Sequence, residues 1–93
     1  MTHFTDEMIA ELVKALVRID DEKVCEKFLN DLCTRKELEQ MAQRVKAAEL
    51  LLDGKTYAQV IAETDISSAT LSRVSRCIQY GEGGYKAVLK GGE

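Results

Sequence analysis

The feature that most constrains this 93-residue chain is a break only three residues long. Residues 56–79 carry two short amphipathic helical patterns, and Thr64-Asp65-Ile66 is all that separates them. That gap is too tight for an ordinary loop, and it points to a helix-turn-helix. In the first pattern Thr56 and Gln59 make a T-x-x-Q start, which can close a capping box. Val60 and Ile61 are its positions to bury. Ser67 or Ser68 suits the N-cap of the second helix, because a short hydroxyl side chain accepts from an orphan N–H. Leu71, Val74 and Ile78 then recur at the three-to-four spacing of one buried face.

The other face of the second pattern carries Ser68, Ala69, Thr70, Ser72, Arg73 and Arg76. Small residues let a helix backbone approach the floor of a major groove, and arginine forks onto guanine or a phosphate. No acidic residue occurs from Ile66 to Gly81, although the whole chain has a net charge of −3. Helical spacing alone fits a hairpin with a solvated polar face equally well. The I-S-S-A-T-L-S-R-V string favours a DNA reader, since it joins turn, cap, small-residue face and arginine in the order a reader needs. The expected DNA-facing residues are Thr56, Tyr57, Gln59, Ser67, Ser68, Ala69, Thr70, Ser72, Arg73 and Arg76.

A chain of this length makes one domain, residues 1–93, with a core that is marginal when alone. Yet 45% of its residues are hydrophobic. That surplus of apolar faces suggests burial against a second copy. Proline is absent and aromatics make up 5%, which with helix formers throughout argues for an all-α fold. No apolar run approaches membrane-spanning length, and the first residues lack the basic and apolar regions of a signal peptide, so no membrane partner and a cytoplasmic location are expected. Cys25, Cys33 and Cys77 show no C-x-x-C spacing and no histidine cluster. They read as small buried hydrophobes rather than as a metal site or a disulfide framework.

Residues 1–33 carry eight acidic and four basic side chains, while residues 34–93 carry eight and nine. The acidic part should face away from a polyanion, and the rest contains the reader. Weak overall charge predicts weak non-specific DNA affinity.

In chain order, residues 1–4 read as a frayed end holding the single histidine, His3. Thr5 or Asp6 starts a first helix with Asp6 and Glu7 in its first turn, where the helix dipole favours acids. Met8, Ile9, Leu12, Val13, Leu16, Val17 and Ile19 form a broad stripe. Asp20-Asp21-Glu22 caps a second helix bearing Val24, Cys25, Phe28, Leu29 and Leu32. These dimerisation helices span 5–33. The longest helix occupies 34–54, opened by a Thr34–Glu37 capping box and stopped by Gly54. Its stripe is Leu38, Met41, Ala42, Val45, Ala48, Leu51 and Leu52, and Arg44 falls off it as a solvated arginine. After the helix-turn-helix, residues 80–93 form a short C-terminal segment. Three of Gly81-Glu82-Gly83-Gly84 are glycines, which make a flexible joint before one or two helical turns at 85–90, and 91–93 read as loose.

From Phe28 to Ile78 the chain resembles the tryptophan repressor family, most closely its small bacterial Trp-repressor-related members. The order is the same: a capped long helix, R-V at Arg44-Val45, a leucine cluster, Gly54, then a helix-turn-helix ending A-T-L-S-R at Arg73. The resemblance implies an all-α intertwined homodimer that presents two reader helices to successive major grooves. It also implies an effector pocket between the long helix and the reader, at Thr34, Arg44, Arg73, Val74 and Cys77. Thr34, Arg44 and Arg73 match residues that hold L-tryptophan in the repressor. Val74 stands where that family has a glycine that leaves room for the ligand. Cys77 stands where it has a serine that meets the ligand's amino group. The expectation is therefore no cofactor and no tryptophan response. Ala58 and Ile61 replace basic or polar positions of the first motif helix. Asp65 replaces the usual turn glycine, and Asp tolerates the left-handed conformation better than most residues.

The expected function is a sequence-specific DNA-binding transcriptional regulator, acting as a repressor, with double-stranded DNA and a second copy as partners. The alternative is a protein-interaction module that keeps the scaffold and has lost specific DNA binding; the weak net charge with Ala58 and Ile61 speaks for it. No nucleophile–base pair, metal spacing or phosphate loop suggests an enzyme.

Overall fold

The computed structural model describes residues 2–90, so the expected loose end at 91–93 lies outside the described residues. Among the described residues there are six helices and no strand: α1 Thr2–Val17, α2 Glu22–Leu32, α3 Arg35–Leu52, α4 Tyr57–Thr64, α5 Ser68–Tyr80 and α6 Gly84–Leu89. The all-α expectation holds. The chain divides into two compact units, residues 1–35 and residues 36–93.

In the first unit α1 begins at Thr2, three residues before the expected start, with the rings of His3 and Phe4 stacked 4.6 Å apart. The expected fraying at residues 2–4 is thus replaced by helix, and Met1 lies outside the described residues. Nothing in T-H-F-T breaks a helix, so no side-chain stop sets the start at Thr5. Asp6 and Glu7 consequently sit beyond the first turn, which holds no acid. The helix closes with a tightened turn in which the Arg18 N–H is shared between the Lys14 and Ala15 carbonyls, both at 3.2 Å. Asp21 caps α2 as expected, its carboxylate accepting the Val24 N–H at 3.0 Å. The first stripe stays largely open, and the second is only partly covered, with Cys25, Phe28 and Leu29 half-buried. Met8, Ile9, Val13 and Val17 stay more than half exposed, Leu12 and Leu16 about 40%, and α2 buries no residue.

The second unit contains the core. Ala47, Ala48 and Leu50 of α3 pack with Val60 of α4, Ile66 of the turn, and Leu71 and Val74 of α5. Leu51, Ile61, Ile78, Tyr85 and Leu89 close around them. The stripe expected on α3 is therefore only partly the buried one. Ala48 is fully buried, but Ala42 is exposed and Val45 is 44% exposed, while Ala47 and Leu50 lie inside. The helix has two apolar flanks, and within the chain only one of them meets the helix-turn-helix.

Gly54 stops α3 through a Schellman motif. The Lys55 N–H reaches the Leu50 carbonyl and the Gly54 N–H the Leu51 carbonyl, each at 3.0 Å. Gly54 has φ +89°, which a residue with a Cβ adopts only under strain. At the far end of α5, a Cβ on Gly81 would collide with the Cys77 carbonyl oxygen, so the chain can turn there only with glycine. Beyond this turn α6 supplies the helical turns expected at 85–90. Tyr85 and Leu89 turn α6 back onto the core, and Lys90 pairs with Asp53 at 3.7 Å.

Candidate nucleic-acid interface

The helix-turn-helix is built by local hydrogen bonds that the sequence pattern announces. Thr56 is the N-cap of α4 and closes a full capping box. Its hydroxyl accepts the Gln59 N–H at 3.2 Å, while Gln59 Oε1 accepts the Thr56 N–H at 2.9 Å. The Gln59 NH2 group is left to donate outward. Tyr57, the first residue of α4, is 43% exposed.

Asp65 ends α4 in the left-handed region, φ 60° and ψ 21°. It is the one described non-glycine residue with positive φ. Thr64 braces it on both sides: its hydroxyl donates to the Val60 carbonyl at 2.7 Å and accepts the Ile66 N–H at 3.2 Å. From α3, the Gln43 side-chain NH2 donates to the Thr64 carbonyl at 2.9 Å. Ile66, 2% exposed, then drops into the core.

Ser67 is the N-cap of α5; of the two serines read as candidates, it is the one used. Its hydroxyl accepts the Thr70 N–H at 3.2 Å and donates to Thr70 Oγ1 at 2.9 Å. Leu71, Val74 and Ser75 are buried, so α5 is anchored along one side. The opposite side presents Ser68, Ala69, Ser72, Arg73 and Arg76, all exposed, with Thr70 half-buried at the edge. Every expected DNA-facing residue is therefore at least partly exposed. Among the described residues neither Arg73 nor Arg76 forms an ion pair.

A partly open pocket of about 560 Å³ lies between α3, the turn, α5 and α6. Gln40, Gln43, Arg44, Asp65, Ser67, Thr70, Arg73, Val74, Cys77 and Tyr85 line it. Four of the five expected effector-pocket residues thus come together: Arg44, Arg73, Val74 and Cys77. Thr34 stands directly before α3, in the first unit, outside that lining. Arg44 corrects the reading of a solvated helix arginine: it is half-buried in the pocket wall, and among the described residues it too has no ion pair. Cys77 corrects the reading of a buried hydrophobe. It is exposed, with Cys25 and Cys33 half-buried, because position 77 lies on the pocket edge of α5, not its core edge. Val74 is 2% exposed and packs inward, forming wall and not plug, so the pocket persists beside it.

Sequence reasoning missed Gln40, Gln43 and Tyr85. Their signal is three-dimensional: each is an ordinary helical residue until α3, α5 and α6 meet. Among the described residues no group of three or more metal-ligating side chains occurs, and no helix is long and apolar enough to cross a membrane.

Residues 7–92 match the Trp repressor protein family. The chain is 39% identical over 79 residues to the uncharacterized protein YerC of Bacillus subtilis (strain 168), covering 85% of this chain and 76% of that one. A crystal structure from Staphylococcus aureus, described as that of a candidate Trp repressor, superposes with a TM-score of 0.85 at 34% identity, covering 90% of this chain and 84% of that one. The crystal structure of a TrpR-like protein from Eubacterium eligens ATCC 27750 also gives 0.85, at 32% identity, covering 90% and 87%.

Proposed function

The chain belongs to the Trp repressor family, a family of DNA-binding regulators and not of enzymes, and from that premise we propose that it is a sequence-specific DNA-binding transcriptional repressor acting as a homodimer. One observation carries the reading. The solvent face of α5 offers small side chains and two arginines without ion pairs, on a helix whose first turn is already capped and whose other side is fixed in a core.

A helix so presented enters a major groove N-terminus first. Ser68, Ala69 and Ser72 allow close approach. Arg73 reaches a guanine edge with both nitrogens of its fork, and Arg76, one turn on, takes a phosphate. The capped start of α4 adds Tyr57 and the Gln59 NH2 group as neutral phosphate donors. Because α4 itself carries no basic residue, affinity leans on α5, and non-specific binding is weak for a chain of net charge −3.

The second copy is inferred from the first unit. Apolar side chains of α1 and α2 left more than half exposed form a surface that a stable soluble chain covers with another. A twofold dimer carries two reader helices and so prefers a near-palindromic site. The pocket beside Arg44 and Arg73 is the effector site of this reading. It is proposed not to respond to tryptophan, because the Cys77 thiol is a poor partner for an ammonium group and Val74 stands where the family's glycine leaves room for the ligand.

The absence of any cation on α4 favours a second reading, a protein-interaction module that has lost specific DNA binding. Fluorescence anisotropy with labelled duplexes separates the two. A regulator shows affinity that falls steeply with salt and differs between sequences. An interaction module shows neither at physiological salt.

A further inference from the structure

We infer that Gln43 is the positioning residue that seats the turn of the helix-turn-helix on α3 and thereby sets how α5 is presented. The inference rests on the DNA-reading function proposed above.

Thr64 is the last residue of α4, and its carbonyl is one of the four that a helix leaves without an internal partner. The Gln43 NH2 group satisfies it at 2.9 Å from a part-buried position. This bond spans 21 positions, whereas the side-chain bonds that cap α4, brace the turn and cap α5 span two to four. Those short bonds shape each helix end but cannot fix the pair to the rest of the unit. Gln43 can. Thr64 then passes the constraint on, since its hydroxyl ties Val60 to Ile66 across a residue in the left-handed conformation. Ile66 and Leu71 seat the turn and α5 in the core, but the hydrophobic driving force is itself non-directional and leaves the Thr64 carbonyl without a partner. A directional bond does. Gln43 also lines the pocket together with Arg44 and Arg73, so an occupant of the pocket meets the side chain that holds the turn.

The test uses the full-length protein. Gln43→Glu has the same shape but, when ionised, only accepts hydrogen bonds, and Gln43→Met has similar length and no polar group. Two readouts are taken: amide hydrogen exchange by NMR, and binding to a DNA site selected by the parent. Exchange should accelerate about tenfold or more at Asp65 and Ile66 in both variants, with Leu71 and Val74 unchanged, and DNA binding should weaken about tenfold, the loss of one well-placed hydrogen bond. Unchanged exchange at the turn in both variants overturns the inference. So does equal acceleration at the turn and at Leu71, which would make Gln43 a residue of general stability. If the parent binds no DNA, the DNA reading fails by itself. The exchange measurement then still decides whether Gln43 seats the turn.

Discussion

The hydroxyls of Ser67 and Thr70 are bonded to each other at 2.9 Å, at the very end of α5 that would meet DNA. Ser67 also accepts the Thr70 N–H, so the first turn of α5 is shaped before any partner arrives. A reader set in advance loses less conformational freedom on binding than one that must fold into the groove.

Removing that cap should be visible without DNA. Ser67→Ala is expected to lower unfolding stability by about 1 kcal/mol, and Ser67→Gly by only a few tenths. Chemical denaturation followed by circular dichroism measures both. Equal midpoints for Ser67→Ala and the parent would show that the cap contributes nothing.

The two arginines of α5 should separate by role. Arg73→Ala is expected to cost roughly 1–3 kcal/mol at the selected site and to relax preference at one base pair. Arg76→Ala should weaken all sequences alike and lower the slope of log affinity against log salt by about 1 per subunit. Competition anisotropy at several salt concentrations reads both. A uniform loss for Arg73→Ala would reassign it to a phosphate.

Much of this arrangement is legible in the chain itself, and the reason is locality. The Thr56–Gln59 box, the Ser67 cap, the stop at Gly54 and the tolerance of Asp65 for a left-handed backbone each depend on one residue or on residues no more than five apart, which a sequence displays directly. The misses are of another kind. Gln43 meets Thr64 across 21 positions, and no local pattern marks the pair. Ala47 and Leu50 are buried in place of Ala42 and Val45 because a helix with two apolar flanks does not declare which flank its own chain will cover. Cys77 and Arg44 exchange their expected environments for a related reason, since a pocket between helices exposes one and half-buries the other.

Assembly is checked by mass. Sedimentation at micromolar concentration should give two chains per particle. Met8→Asp with Leu12→Asp, both on the uncovered face of α1, should shift that mass toward one chain and reduce stability. A folded monomeric parent would contradict the dimer, as would a double variant that remains a dimer of unaltered stability.

The tryptophan prediction has a clean optical test, because the chain contains no tryptophan. Titration followed by ligand fluorescence should show no saturable binding at micromolar L-tryptophan and no change in DNA affinity. Val74→Gly is not a neutral gain of space. It removes a buried side chain worth about 1.5–3 kcal/mol and adds a few tenths of a kcal/mol of helix penalty relative to valine, so Cys77→Ser is the better single variant for restoring an amino-group partner. Saturable binding by the parent that tightens DNA binding would overturn the prediction.

The central claim, that α5 reads DNA sequence, is tested most directly by selecting bound duplexes from a random pool with the parent protein and with Arg73→Ala in parallel. The parent is expected to enrich a near-palindrome with half-site centres about 10 base pairs apart, and Arg73→Ala to lose preference at one position of each half-site or fail to enrich it. A pool that the parent leaves unenriched, or a motif identical for parent and variant, would contradict it.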